Sequence, residues 1–353
     1  MTTTIQQTDL VVHILNVGFG DAILVELPTD LQGRNMIGIV DCNNGSKMVD
    51  YLTKLKGVRD FDGVAFICAT HPHLDHVRGI EKLLKSDQTR PEEFWDSGFR
   101  HKTKTYLDIL STIHDRGIKM RRISSGMEAY FGTLRITALG PSVALRNRYA
   151  TYGIDMNNAS IVLRLENCKE DAVLVESVRY RDRDDPEVLR QAGDSVVILG
   201  ADAEFDSWSQ VTQEYPHVER TSKHDPLVKK AVNLLNCSVL KVSHHGSMHS
   251  APLDVYERMS PTWAILSSKQ ATSSVTHHGT TLTRPLYPHP VTIETLRESG
   301  SKVLSTDGYY ESVVGGGPEL TGSVVVVVPP GGKPSVIKLS DDTAAVPDPP
   351  AEV

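Results

Sequence analysis

A chain of 353 residues can form one large α/β domain or two smaller ones, and its composition, 39% hydrophobic and 23% charged, is that of an ordinary globular protein. Asp and Glu outnumber Lys and Arg by 44 to 37, a net charge of -7, which excludes a generally basic nucleic-acid coat but leaves room for a local basic patch. The opening "MTTTIQQTDL" has neither a basic nor an apolar leader, and no apolar run approaches the ~20 residues of a membrane span, so a cytoplasmic protein with no membrane partner is expected.

The chain opens with strands. "LVVHILNV", "DAILVEL" and "NMIGIVD" are apolar and partly alternating, with Gly18 and Gly20 at the first turn and Asp41 ending the third run. "SKMVDYLTKLKG" predicts a helix closed by Gly57. "GVAFICA" (63–69) reads as a core strand running directly into "THPHLDH", after which "VRGIEKLLK" places Val77, Ile80, Leu83 and Leu84 on one helical face. The polar residues between them form a strand-to-helix loop at the carboxyl edge of a sheet, where open α/β folds place their sites. His71 and His73, two residues apart, can converge on one cation, while Asp75 and His76 aim at a neighbouring position. Imidazole and carboxylate together suit Zn, Mn or Fe.

"TYLDILSTIHDRG" predicts an amphipathic helix closed by Gly117, inside a basic stretch. Arg100, Lys102, Lys104, Arg116, Lys119, Arg121 and Arg122 stand there against only Asp108 and Asp115. Such a run suits phosphate groups, with Arg116, Lys119, Arg121 and Arg122 as candidate substrate contacts; the alternative is a merely solvated helix flank. Strands return at "TLRITALGP" and "ASIVLRLE", then at "SVVILGAD", "SVLKVSHHGS" and "TWAILSS", each delivering polar residues at its end. Helices are expected at "DPLVKKAVNLL" and "PVTIETLRESG", and "THHGT" (276–280) reads as an exposed Ser/Thr-rich loop. Strands "SVVVVVP" and "PSVIKL" close a folded domain of residues 1–340, and the acidic, Pro-rich residues 341–353 read as a disordered tail. Asp202 and the pair His244 and His245 thus follow core strands at the edge that faces the first motif. Asp202 alone could equally cap a helix, whereas a histidine pair ending an apolar strand points to ligation. Cys42, Cys68, Cys168 and Cys237 form no CxxC pair and read as buried free thiols of a reducing compartment.

Together "HPHLDH", "GAD" and "SHHGS", with "NVGFGDAILVEL", "IVDCN", "NNASIVLRL" and "YPHPVTIETLRESGSKVLSTDG", resemble the metallo-β-lactamase fold superfamily over most of residues 10–310. More narrowly, they resemble the branch containing the hydrolase domain of the bacterial DNA-uptake competence protein. The resemblance implies an α/β fold of four layers, an αββα sandwich, with two divalent metal ions (Zn or Mn) in a cleft at one edge. On this chain His71 and His73 would hold the first metal and Asp75 and His76 the second, with Asp202 bridging them and one of His244 or His245 completing the second position. Asp41 and Asp21 would orient ligands from behind. Many members supply a third histidine to the first metal, but the corresponding "DMNNASIVL" has none. Asn157 or Asn158 would stand in, and an amide oxygen is a harder, weaker ligand that loosens zinc and admits manganese. His289 in "YPHP" matches the branch as a candidate substrate contact.

The implied reaction is hydrolysis by a metal-activated water, with Asp75, His244 and His245 as catalytic candidates, and with the basic run the implied substrate is a phosphodiester of nucleic acid. A second reading is a small phosphodiester or phosphorylated head group, as in the phosphorylcholine esterases of the same branch. It asks for an aromatic cage, for which Trp208, Tyr215, Trp263 and Tyr287 are the candidates. A third is a non-catalytic scaffold or effector, against which the intact ligand set speaks. The oligomeric state is left open.

Overall fold

The computed structural model describes residues 5–145, 155–169, 180–181, 195–221, 229–277, 280–308 and 321–340. The tail expected at 341–353 lies outside the described residues. The first half builds strands β1 (Leu10–Ile14), β2 (Ala22–Glu26), β3 (Met36–Cys42), β4 (Gly63–Ala69), β5 (Pro91–Asp96), β6 (Lys119–Arg122), β7 (Glu128–Phe131) and β8 (Leu134–Gly140). The second adds β9 (Val162–Asn167), β10 (Tyr180–Arg181), β11 (Val196–Leu199), β12 (Val218–Thr221), β13 (Lys229–Val232), β14 (Val239–Lys241) and β15 (Trp263–Leu266). It ends with β16 (Ala271–His277), β17 (Thr280–Tyr287), β18 (Lys302–Ser305), β19 (Val324–Val328) and β20 (Ser335–Lys338).

Two eight-stranded sheets result, ordered β20-β19-β1-β2-β3-β4-β5-β6 and β10-β7-β8-β9-β11-β14-β15-β18. Each is antiparallel at one side and parallel at the other: β3 to β6 run parallel, as do β11, β14, β15 and β18. The parallel strands are joined through helices, so their carboxyl ends share one edge in each sheet.

Alternation along the strands decides what lies between the sheets. Leu10, Val12 and Ile14 of β1 pack with Leu134, Ile136, Leu163, Leu165, Val197 and Val239 of the second sheet in one shared core. Phe66 and Trp95 stack within it, centroids 3.9 Å apart. The outer face of the first sheet is covered by α1 (Gly45–Lys56), α2 (Leu74–Val77), α3 (Ile80–Lys85) and α4 (Lys104–Asp115), which bury residues such as Leu52, Val77, Leu83 and Ile109. The outer face of the second is covered by α5 (Phe205–Glu214), α6 (Leu253–Met259) and α7 (Pro290–Glu298) through Trp208, Val255, Met259 and Leu296. The order of layers is helix, sheet, sheet, helix, the αββα sandwich expected from the sequence. All four cysteines are free and buried.

Two elements differ from expectation. Lys229–Val232, inside the expected helix "DPLVKKAVNLL", is instead β13, paired antiparallel with β12. Lys229, Lys230 and Val232 meet that strand residue by residue, a pairing that local helical spacing does not reveal. Of "THHGT", expected to be a loop, Thr276 and His277 belong to β16 and Thr280 to β17, and residues 278–279 lie outside those described.

Candidate metal centre

The site is assembled where the parallel strands of both sheets end. β4 runs out at Ala69, His71 lies just beyond it, and the chain becomes helical at Leu74 with His73 as the N-cap. His73 therefore sits on extended backbone, and Asp75 and His76 in the first helical turn. β11 delivers Asp202 and β14 delivers His245 from the second sheet. Asp75, His76, Asp202 and His245 each bring a ligating atom into a group spanning no more than 4.8 Å. Asp202 is central. Its Oδ2 lies 3.1 Å from His76 Nε2 and 3.8 Å from His71 Nε2, and its Oδ1 lies 3.6 Å from His245 Nε2. Asp75 Oδ2 is 3.3 Å from His245 Nε2, and the His71 ring is 4.8 Å from that of His73.

Hydrogen bonds behind the histidines turn the same ring nitrogen of each toward this group. His76 Nδ1–H donates to Asp41 Oδ2 (2.7 Å), and His245 Nδ1–H donates to the Ser267 carbonyl (2.8 Å). The Thr70 hydroxyl donates to Asp41 Oδ2 (2.7 Å), so its oxygen accepts from His71 Nδ1–H (3.2 Å). Each bond leaves Nε2 with a lone pair, the tautomer a metal ligand needs. His71 Nε2, His76 Nε2, His245 Nε2 and Asp202 Oδ1 are all buried and make no hydrogen bond. Four orphaned buried atoms converging from two sheets are costly in an empty protein, and are the donor set that divalent cations complete. The residues fit the metals that the sequence resemblance implies.

The carboxylates and imidazoles of the group compensate one another's charge. Burial alone would raise the Asp202 carboxyl, but His76 and His245 beside it hold it well below the usual carboxylate range. Burial works against charge on His76, yet Asp202 and Asp41 on either side raise it well above the ordinary histidine value. Burial, and then the charge of His76, push His71 well below that value. Behind the group the fully buried Lys241 ammonium bonds Asp21 Oδ2, offsetting one of the two rear carboxylates. Asp41, Ala201, His244 and His245 hold φ of 55°, 45°, 46° and 52°, a left-handed conformation costly for non-glycine residues. All four lie at strand ends of this one edge.

Of the histidine pair, His245 enters the group and His244 does not. His244 Nδ1 lies 2.8 Å from Glu204 Oε1, and its Nε2 is 3.2 Å from the Tyr287 hydroxyl. Asn158, expected as a ligand, gives its amide oxygen to the Ser207 N–H (2.9 Å) in the first turn of α5. Asn157 donates its amide N–H to Glu204 Oε1 (3.0 Å) and keeps a buried, unbonded oxygen. His289 caps α7, accepting at Nδ1 from Val291 N–H (3.3 Å), while its own N–H ties to the Gly246 carbonyl (2.8 Å), so it braces the His244–Gly246 turn.

The basic run does not form one patch. Arg116 follows α4 at the far end of the strands, where it bonds Asp87 and the Lys85 carbonyl. Lys119 and Arg121 both pair with Glu93, at 3.0 and 2.7 Å. Arg122 ends β6, opposite Asp96 at the end of β5, on the site's side of the sheet. The four aromatic candidates do not form a cage either. Trp208 and Tyr215 are core residues, and the ring of Trp263 carries the Lys302 ammonium at 4.8 Å. Tyr287 alone of them reaches the site, against the Phe19 ring at 4.9 Å.

No family model matches the chain. It is similar to the curated ComE operon protein 3 of Bacillus subtilis (strain 168), with 22% identity over 311 residues that make up 84% of this chain and 32% of that protein. The chain thus spans about a third of the length of the relative it matches. Its architecture is the αββα sandwich that the sequence resemblance to the metallo-β-lactamase fold superfamily implies. Among solved structures it is similar to a mutant of the CmlA β-hydroxylase, with a TM-score of 0.41 and 8% identity over 84% of this chain and 52% of that one. It is also similar to the metallo-β-lactamase fold protein YhfI of Bacillus subtilis, with a TM-score of 0.40 and 11% identity over 84% and 96% of the two chains.

Proposed function

We propose that this protein is a metal-dependent hydrolase that cleaves phosphodiesters of nucleic acid with a water activated between two divalent ions. The observation that carries the reading is the convergence of three unbonded imidazole Nε2 atoms and Asp202 from the two sheets. His71 and His73 with Asp202 would hold one ion, and Asp75, His76 and His245 with Asp202 the other. Two such ions lower the pKa of a water between them toward ~7 and polarise phosphoryl oxygens. Asp41 fixes the His76 ring, and Ser267 fixes that of His245. His244, steadied by Glu204, would with Tyr287 offer hydrogen bonds to a substrate oxygen beside the ions. The sequence resemblance to the competence-protein branch and the position of Arg122 support a nucleic-acid substrate. A head-group substrate loses its support with the cage, since three of its four aromatics lie elsewhere. Buried free thiols support a reducing, cytoplasmic setting, and among the described residues no helix is long and apolar enough to cross a membrane.

The test is a panel of single- and double-stranded DNA, RNA and a chromogenic bis-phosphodiester, offered to metal-stripped protein with Mn, Zn or Mg. Cleavage of at least one nucleic acid is expected with Mn or Zn. Asp75→Ala and His76→Ala should each lower turnover by at least about a hundredfold with the circular dichroism retained, because each removes a metal-binding group and no apolar core contact. Wild-type turnover in either variant, or no cleavage of any nucleic acid, would refute the reading.

A further inference from the structure

The first metal position lacks the third histidine expected from segment 155–160, and the geometry points to His101 as its replacement: we propose that His101 supplies the third imidazole to the ion held by His71 and His73. The inference rests on the dinuclear reading above. Asn158 spends its oxygen on α5, while Asn157 donates its amide N–H to Glu204 on the His244 side and keeps an unbonded oxygen, which makes it the rival donor. His101 arrives from the other direction, in the loop between β5 and α4. β5 is the neighbour of β4 in the parallel run, so this loop emerges at the same edge as the HxHxDH segment.

The His101 ring lies 6.0 Å from the His73 ring with the planes 80° apart, and His73 in turn lies 4.8 Å from His71. With metal–nitrogen bonds of about 2.1 Å, two imidazoles sharing one ion have centroids about 5.3 Å apart at the tetrahedral angle and about 6.5 Å apart at the most. Both spacings meet that limit. The other ring nitrogen of His101 is engaged as in a ligating histidine. Its Nδ1 lies 3.1 Å from Thr103 Oγ1, the N-cap residue of α4, whose side chain makes no capping bond. With Nδ1–H donating to that hydroxyl, Nε2 holds the lone pair. His101 is partly exposed on a loop, so its replacement does not disturb a core.

The test is calorimetric titration of the metal-stripped full chain with zinc alone. Wild type should take up two equivalents. His101→Ala should keep one with unchanged affinity and bind the other at least about tenfold more weakly, with the circular dichroism and melting of the metal-free protein unaltered. Asn157→Ala, the rival donor, should leave both equivalents as they are. With cobalt in place of zinc, wild type should show one more paramagnetically shifted, exchangeable imidazole N–H resonance than His101→Ala. Two wild-type equivalents that His101→Ala leaves unchanged, or that Asn157→Ala weakens instead, would overturn the assignment and leave the dinuclear centre standing. Fewer than two equivalents in wild type would overturn the dinuclear centre and this assignment with it.

Discussion

Asp41 uses both carboxylate oxygens behind the site: Oδ1 accepts the Thr70 N–H (2.8 Å), and Oδ2 accepts both the Thr70 hydroxyl and His76 Nδ1–H. Through Thr70 it also steadies His71, so one buried side chain orients a histidine for each metal position. Asp41→Asn nearly preserves volume but exchanges an accepting oxygen for an amide N–H, which cannot accept from His76. Zinc affinity should fall about 10–100-fold, with the circular dichroism retained, as measured by titration of metal-stripped protein. Unchanged affinity would show that His76 is held by its packing alone. The residues that sequence patterning reached are those whose type announces them, the clustered histidines and the aspartates that end apolar runs. Those it missed announce nothing locally. His101 lay inside a stretch read for its charge, and Glu204 gains meaning only from His244, 40 positions on, which lies 2.8 Å from it in space. Lys241 did leave a signal, a lysine inside the apolar run "SVLKVS", which fits only a strand with a buried partner such as Asp21.

The HxHxDH segment depends on how tightly α2 and α3 are pinned against α1. Gly79, between the two short helices, donates its N–H to the Cys42 carbonyl (2.7 Å). A Cβ added there would lie 2.2 Å from the Gly45 nitrogen and 2.8 Å from the Cys42 oxygen, main-chain atoms of α1 and β3 that cannot swing aside. Gly79→Ala should therefore cost about 1–3 kcal/mol of stability in the metal-free protein and also weaken zinc binding, because the ligand loop must move with the glycine. Denaturant unfolding and zinc titration check the two effects, and a loss of stability without a loss of affinity would show the loop to be independent of this crossing. At this scale the strands were the legible elements. "GVAFICA" coincides with β4, and the runs before Asp202 and His244 are β11 and β14, because fully buried strands of a parallel sheet are continuously apolar. The β12–β13 hairpin was not legible, since its lysines satisfy a helical period as readily as a strand. Nor was the fate of the basic run, because neutralisation of Lys119 and Arg121 by Glu93 arises from the neighbouring strand β5.

Across the whole molecule the candidate ligands divide between the sheets: His71, His73, Asp75 and His76 follow β4 of the first, and Asp202 and His245 follow β11 and β14 of the second. The sheets are otherwise held together mainly by the apolar core between them, which is non-directional, so the edge that carries the site is where ions can add a specific tie. Ions that need ligands from both sheets bind the folded sandwich and not the unfolded chain, and at a free concentration a hundredfold above Kd each adds about 2.7 kcal/mol. For a protein of this size the melting temperature should rise by roughly 5 °C or more when Mn or Zn is restored to chelator-stripped protein. Because Asp202 touches both positions, Asp202→Ala should abolish nearly all of that increment, whereas His71→Ala, which touches one, should leave part of it. Both variants are to be compared with wild type in thermal scans with and without metal. If Asp202→Ala kept the full metal-dependent rise, the ions would be binding within one sheet or elsewhere on the surface, and the placement of a shared carboxylate between two metals would be refuted.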